Sequence, residues 1–254
     1  MRALHAVAAT WRRIRFRIWV AELRLRLRAA GARLEVDAPH GAVLESKPIV
    51  KAYPLGSGSG RFEVRIGKGV QIGRNLVIEV FARGDNRLTL GDGALVQNSV
   101  RLLLRGGSID IGKHTSLRDG AWLKSDGGLK LGDHVQISQY DALHCDRKLV
   151  LGDWVGLAER VTVLDSDHGF DGSDVHFRDQ MLHVEPTVIG DNTFAAAGAV
   201  ILRGTRLGKN SFVAANAVVR GGEYEPGSLL VGIPAKVIDR SNPGTSDDES
   251  AARH

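Results

Sequence analysis

The segment Asp165-Ser166-Asp167-His168 sets an imidazole beside two carboxylates. It opens a polar stretch, Leu164 to Pro186, that also carries Asp171, Asp174, His176, Arg178 and His183. Imidazole suits proton transfer near neutral pH when its second ring nitrogen is held by an acceptor. For His168 that acceptor is Asp165, Asp167 or a backbone carbonyl. Cys145, the only cysteine, falls in His144-Cys145-Asp146 on a predicted strand, where a small buried side chain is routine, so it reads as structural and not as a nucleophile. His114 and His134 read as exposed turn residues with no third ligand at metal-binding spacing, and no metal is expected.

The polar stretch interrupts a repeat. Leu or Ile, then Gly, then Asp or Lys recurs at Ile66-Gly67-Lys68, Leu90-Gly91-Asp92, Ile111-Gly112-Lys113, Leu131-Gly132-Asp133, Leu151-Gly152-Asp153, Ile189-Gly190-Asp191 and Leu207-Gly208-Lys209. The glycines are 24, 21, 20, 20, 38 and 18 residues apart, so one unit of 18 to 20 recurs and the long interval contains the interruption. Within each unit a period of six appears, as in Ala195 to Val200 and Ile201 to Arg206. Three hexads with aliphatic residues inside and Gly, Asp or Asn at the corners predict a triangular coil of three short strands. Coils stacked at roughly 4.7 to 4.9 Å share one aliphatic core, which no coil could form alone. Gly93, His114, His134, Trp154, Asn192 and Asn210 take equivalent corner positions, where positive φ is needed.

The chain has 254 residues and a net charge of +5, but that charge is local. Its first 33 residues hold nine arginines against Glu22, which is +8 and leaves 5 − 8 = −3 for the remainder. Leu4, Val7, Trp11, Ile14, Ile18, Ala21 and Leu25 make an apolar helical stripe, broadened by Phe16, Val20, Leu23 and Leu27. No run of about 18 uncharged apolar residues exists, so the stripe predicts either packing on the solenoid or a neighbouring subunit, or contact of residues 2–30 with an anionic bilayer. The alternation Leu23-Arg24-Leu25-Arg26-Leu27-Arg28 also permits a strand. No nucleic-acid recognition module accompanies the charge, and nucleic acid is not an expected partner. A single cysteine and no evident secretory signal suit a cytoplasmic protein, with the inner face of the membrane as an alternative. The expected organisation is a basic amphipathic helix in 1–34, a solenoid over 35–238 with a loop at 164–186, and a disordered tail in 239–254. Irregular first rungs are expected over Val36 to Tyr53, and a flexible loop over Leu55 to Gly60.

The chain resembles the hexapeptide-repeat acyltransferases, in particular the maltose, galactoside and polysaccharide O-acetyltransferases. The resemblance covers roughly residues 60 to 238. It rests on Val135-Gln136-Ile137-Ser138-Gln139-Tyr140, Asp167-His168 before the loop, Ile189-Gly190-Asp191-Asn192 through Ala197-Gly198-Ala199-Val200-Ile201-Leu202, and Gly232-Ile233-Pro234-Ala235-Lys236-Val237-Ile238. It implies an all-β solenoid, a left-handed parallel β-helix, assembled as a homotrimer with acetyl-CoA and a carbohydrate acceptor meeting between adjacent prisms. His168 matches the family's catalytic histidine, the base for a sugar hydroxyl attacking the thioester. Asp141 and His144, one coil earlier, are implied acceptor contacts. Ala197, Gly198 and Ala215 are implied to line the pantetheine arm, and Arg220 and Lys236 to meet the phosphates. Gly221-Gly222 and Asp239 depart from the family's usual residues there. The implied activity is acetyl-CoA-dependent O-acetyl transfer to a sugar or glycan. The alternatives are N-acylation of an amino sugar, a zinc carbonic anhydrase-like enzyme, and a non-catalytic trimeric scaffold.

Overall fold

The computed structural model describes residues 2–54, 60–82 and 84–238, and for residues 2–10, 12 and 13 the backbone alone. The loop expected from Leu55 lies, up to Ser59, outside these residues, as does the expected tail 239–254. Among the described residues, three sheets form the walls of a prism. The first face has nine strands beginning with Ala32–Asp37, the second ten beginning with Val43–Leu44, and the third eight beginning with Ile49–Tyr53. The chain visits the faces in turn, as in Ser108–Ile111, Ser116–Leu117 and Trp122–Ser125, then returns at Gly128–Leu131 one coil on. The result is a left-handed parallel β-helix, closed at its far end by Ala235–Ile238 folding back antiparallel on Leu229–Gly232.

The core is a set of columns. Leu90, Ile111, Leu131, Leu151, Ile189 and Leu207 stack in register along the first face, all buried. Each such side chain contributes roughly 1.5–3 kcal/mol by leaving water. The glycine after each aliphatic residue has a steric cause. A Cβ on Gly112 would stand 2.2 Å from the carbonyl oxygen of Gly132, and one on Gly132 would stand 2.4 Å from Asp153 Oδ1. The next residue ties coils together: Asp133, Asp153 and Asp191 accept the amides of Lys113, Asp133 and Asp153 at 2.7, 2.8 and 2.9 Å. The residue after that adopts positive φ, 53° at His114, 57° at His134, 61° at Trp154 and 52° at Asn192. Rings there stack as a ladder, His114 on His134 at 5.2 Å and His134 on Trp154 at 4.1 Å.

Two expectations at the start of the chain change. The first rungs are regular, since Ala32–Asp37, Val43–Leu44 and Ile49–Tyr53 each pair with a strand of the next coil. Arg2–Ala29 is one helix with no strand in it, and the first strand begins three residues later, ahead of the expected boundary at 35. The helix lies across the open end of the prism, touching the first strand of all three faces. It buries Phe16, Leu23 and Leu27, which merely broadened the sequence stripe, together with Trp19, which the stripe did not include. Trp11, Ile14, Ile18, Ala21 and Leu25 of the stripe itself are exposed.

The interruption leaves the prism after Thr162–Leu164 on the third face and re-enters at Thr187–Ile189 on the first. Its base is a short hairpin, Ser166–His168 antiparallel to Leu182–Val184. Asp165 clamps the departure point. Its buried carboxylate accepts the successive amides of Asp146, Arg147 and Lys148 at 2.7, 2.8 and 2.7 Å, a concave array of N–H groups suited to an anion. The expectation that Asp165 supports His168 therefore gives way: its oxygens are committed to the coil below. Asp165→Ala strands three amides in a partly buried corner, so we expect a loss of about 3 kcal/mol in urea unfolding, with Asp165→Asn intermediate.

Candidate active site

The hairpin presents His168 to solvent, its backbone opposite Leu182 and its ring edge-on to Phe177, with centroids 5.3 Å apart. Phe177 also contacts His176, at 4.7 Å. Among the described residues no side-chain hydrogen bond holds either ring nitrogen of His168. Asp167, the other expected support, is engaged elsewhere: Arg203 Nε donates to its Oδ1 at 2.8 Å while the same guanidinium pairs with Glu185. That contact raises the Arg203 guanidinium further and staples both strands of the hairpin to the next coil. Gly204 fits this arrangement at φ +73°, since a Cβ there would meet the Glu185 carboxylate at 2.5 Å. Arg203 and Phe177 were not singled out in the sequence. The first is one residue of an ordinary coil, and the second lies in a stretch without periodicity.

Of the expected acceptor contacts, Asp141 is closed to a ligand and His144 is half-buried. Asp141 is fully buried, and its carboxylate accepts the amides of Ser138 and Val161 at 2.7 and 2.8 Å, closing the corner between the second and third faces. Burial pushes its carboxyl up to about 7, against the lowering effect of those amides. His144 packs edge-on against Trp122 at 4.6 Å, its Nε2 is buried without a hydrogen-bond partner, and burial, then the neighbouring Lys124, pulls its pKa down. Cys145 is buried on the core side of the same strand, and burial, then Asp165, pushes its thiol up to about 12, which removes it as a nucleophile near neutral pH.

Ala197, Gly198 and Ala215 do come together. They line a groove of 520 Å³ with Gln139, Tyr140, Glu159, Arg160 and Asn216, at the corner between the second and third faces. Small side chains leave backbone accessible there, and neither the Ala197 nor the Ala215 amide donates to a backbone carbonyl among the described residues. Lys236 is exposed on the closing strand opposite Val231, whose neighbour Leu230 pairs with Val213 just before the groove. Arg220 is placed differently: it is exposed at the far end of the third face, level with Leu202, and its carbonyl accepts from Tyr224 Oη at 2.9 Å. The strand Thr162–Leu164 separates the groove corner from the hairpin by about 10 Å of extended backbone. One prism thus carries an amide-lined groove on one edge of the third face and the exposed histidine on the other. Among the described residues no group of three His, Cys, Asp or Glu side chains could hold a metal ion.

Residues 186–221, which follow the hairpin, match the family described as bacterial transferase hexapeptide (six repeats). The match covers two coils of the solenoid just after the hairpin. The six-residue spacing, the glycine corners and the stacked aliphatic columns in this segment agree with that match. None of the curated proteins matches the chain. Among solved structures, a mutant of AntD, an N-acyltransferase from Bacillus cereus bound to dTDP and coenzyme A, is similar with a TM-score of 0.46 at 16% identity, over 66% of this chain and 82% of that chain. LpxA from Acinetobacter baumannii gives 0.46 at 16% identity, over 82% of this chain and 72% of that one. A maltose O-acetyltransferase from Clostridium difficile 630 gives 0.34 at 20% identity, over 59% and 67%. At scores this low the likenesses carry no argument about the chemistry of the hexapeptide solenoid.

The raised carboxyl of Asp141 has a signed consequence. With its folded value near 7 and its unfolded value near the usual 3.9, its contribution to stability is complete below about pH 4 and is lost as pH rises through 7. Urea unfolding of Asp141→Asn should therefore gain on wild type by roughly 2 kcal/mol between pH 5 and pH 8. Parallel pH profiles for the two proteins would contradict the assignment.

Proposed function

We propose that the protein is an acyltransferase that moves an acetyl group from acetyl-CoA to a hydroxyl of a sugar or glycan, with His168 as the general base. The observation that carries this reading is an exposed imidazole on a hairpin stapled to a hexapeptide-repeat solenoid, across the third face from a groove that offers free backbone amides. Pantetheine is a narrow chain with two amide groups, and a groove floored by Ala197, Gly198 and Ala215 is shaped to pair with such a chain along its backbone. Lys236, exposed beside the groove's closing strand, supplies a cation for the CoA phosphates. The bond formed is between the acceptor oxygen and the acetyl carbon, and the bond broken is the thioester carbon–sulfur bond. His168 takes the hydroxyl proton as the oxygen attacks, and that proton leaves with the CoA thiolate as the free thiol.

This reading assigns the two halves of the site to different subunits of a homotrimer, because within one prism they lie at opposite edges of the third face. It also assigns Arg220, on the histidine edge, to a neighbouring subunit's CoA or to the acceptor instead of to its own groove. Asp141 and His144 stay with the coil that supports the site. A carbohydrate suits the exposed, polar surroundings of His168, where Asp171, Asp174 and Asp179 offer hydroxyl-directed acceptors.

The test is thiol release from acetyl-CoA with a panel of sugars, glycosides and amino sugars. We expect acceptor-dependent release by wild type and a fall of about 10²–10⁴-fold in kcat/KM for His168→Ala. Acceptor-dependent release that survives the substitution unchanged removes His168 from the mechanism. Release with amino sugars alone places the activity among N-acyltransferases.

A further inference from the structure

The helix that caps the prism is apolar on two opposite sides, and the fold uses one of them. Phe16, Trp19, Leu23 and Leu27, at steps of three, four and four, face the first coil and are buried. Ile14, Ile18 and Leu25, half a turn around, are 40%, 52% and 70% exposed, and Trp11 near their outer end is 62% exposed. At 3.6 residues per turn these residues form one stripe along the helix axis. Because the helix crosses the end of the prism and contacts all three faces, this stripe looks outward along the solenoid axis. Arg17, Arg24 and Arg28 run along one flank of the stripe, exposed, and no ion pair among the described residues engages them. Arg15 and Arg26, on the other flank, reach the backbone carbonyls of Glu45 and Val50. The single acid of the helix, Glu22, is paired with Lys47.

We propose that this outer face docks on the surface of an anionic lipid bilayer. The charge identifies the occupant. A second copy of the same face would bring arginines against arginines with its only acid already paired, so self-association through the stripe is opposed by its own flanks. A polyanion without an apolar phase would satisfy the arginines and leave Ile14, Ile18 and Leu25 in water. A bilayer with anionic headgroups meets both demands: the stripe enters the headgroup and acyl boundary, the arginines stay at phosphate level, and Trp11 has the amphipathic character that favours that interface. No helix among the described residues is long and apolar enough to cross a membrane, so the contact is peripheral. The geometry also fixes a height. Six strands of the third face, from Ile49–Tyr53 to Thr162–Leu164, separate the cap from the hairpin, so the hairpin leaves the prism about 24 Å beyond the first coil, with the thickness of the helix between that coil and the bilayer.

The experiment is co-sedimentation of the full chain with vesicles of phosphatidylcholine alone and with added phosphatidylglycerol. We expect binding to the anionic vesicles only, weakened by salt. The exposed pair Ile18→Asp/Leu25→Asp should lower apparent affinity at least tenfold, as should Arg17→Glu/Arg24→Glu, with thermal unfolding and light-scattering mass unchanged. Wild type that stays in the supernatant with anionic vesicles overturns the proposal, and so does an aspartate pair that binds them as wild type does. A pair that leaves vesicle binding intact but splits an oligomer assigns the stripe to a second copy instead. Binding to duplex DNA with none to vesicles assigns the charge to nucleic acid.

Discussion

The whole molecule depends on the tie between one corner and the next. Asp133, Asp153 and Asp191 each accept an amide from the coil before them, and the glycine that precedes each donor, Gly112, Gly132 and Gly152, leaves room for the carboxylate to come within hydrogen-bonding distance. The spacing between coils follows from this contact. With it, the aliphatic columns stack in register and the rings of His114, His134 and Trp154 pile along one edge. A structure held by neighbour-to-neighbour contacts can lose a corner locally without losing register elsewhere, which is how a hairpin of polar sequence can leave the prism between Leu164 and Thr187.

The same corner chemistry explains which parts of the site could be read in the sequence. Period, glycine spacing and corner positions follow from contacts between adjacent coils, so they are written into short repeats, and the β-helix and its interruption were legible. Asp141 and Asp165 were not. An aspartate near a histidine looks the same in sequence whether it faces substrate or caps a corner, and here both carboxylates are spent on backbone amides. Their positions at the turn after a strand were the available signal. Asp167 was misjudged for another reason: its partner Arg203 is 36 residues away in sequence, across the whole loop.

The N-terminal helix shows a different limit of sequence reading. Its arginines and one broad apolar stripe were visible, but periodicity alone cannot say which side of that stripe a fold will cover. The solenoid end selects the side with Phe16 and Trp19, whose rings fill the mouth of the prism at 5.7 Å from each other. The more regular side faces away. The groove at Ala197, Gly198 and Ala215 and the hairpin at His168 have the complementary relation: each is well formed, and the third face keeps them apart within a chain.

That separation makes the central claim testable by mixing subunits. His168→Ala lacks the base, and Ala197→Trp/Ala215→Trp fills the groove without touching the hairpin. Each alone should be inactive in acetyl transfer. Co-assembled in equal amounts, they should recover about a quarter of wild-type activity, because that fraction of inter-subunit sites pairs an intact groove with an intact histidine. Co-assembled oligomers as inactive as either parent would contradict a site shared between prisms.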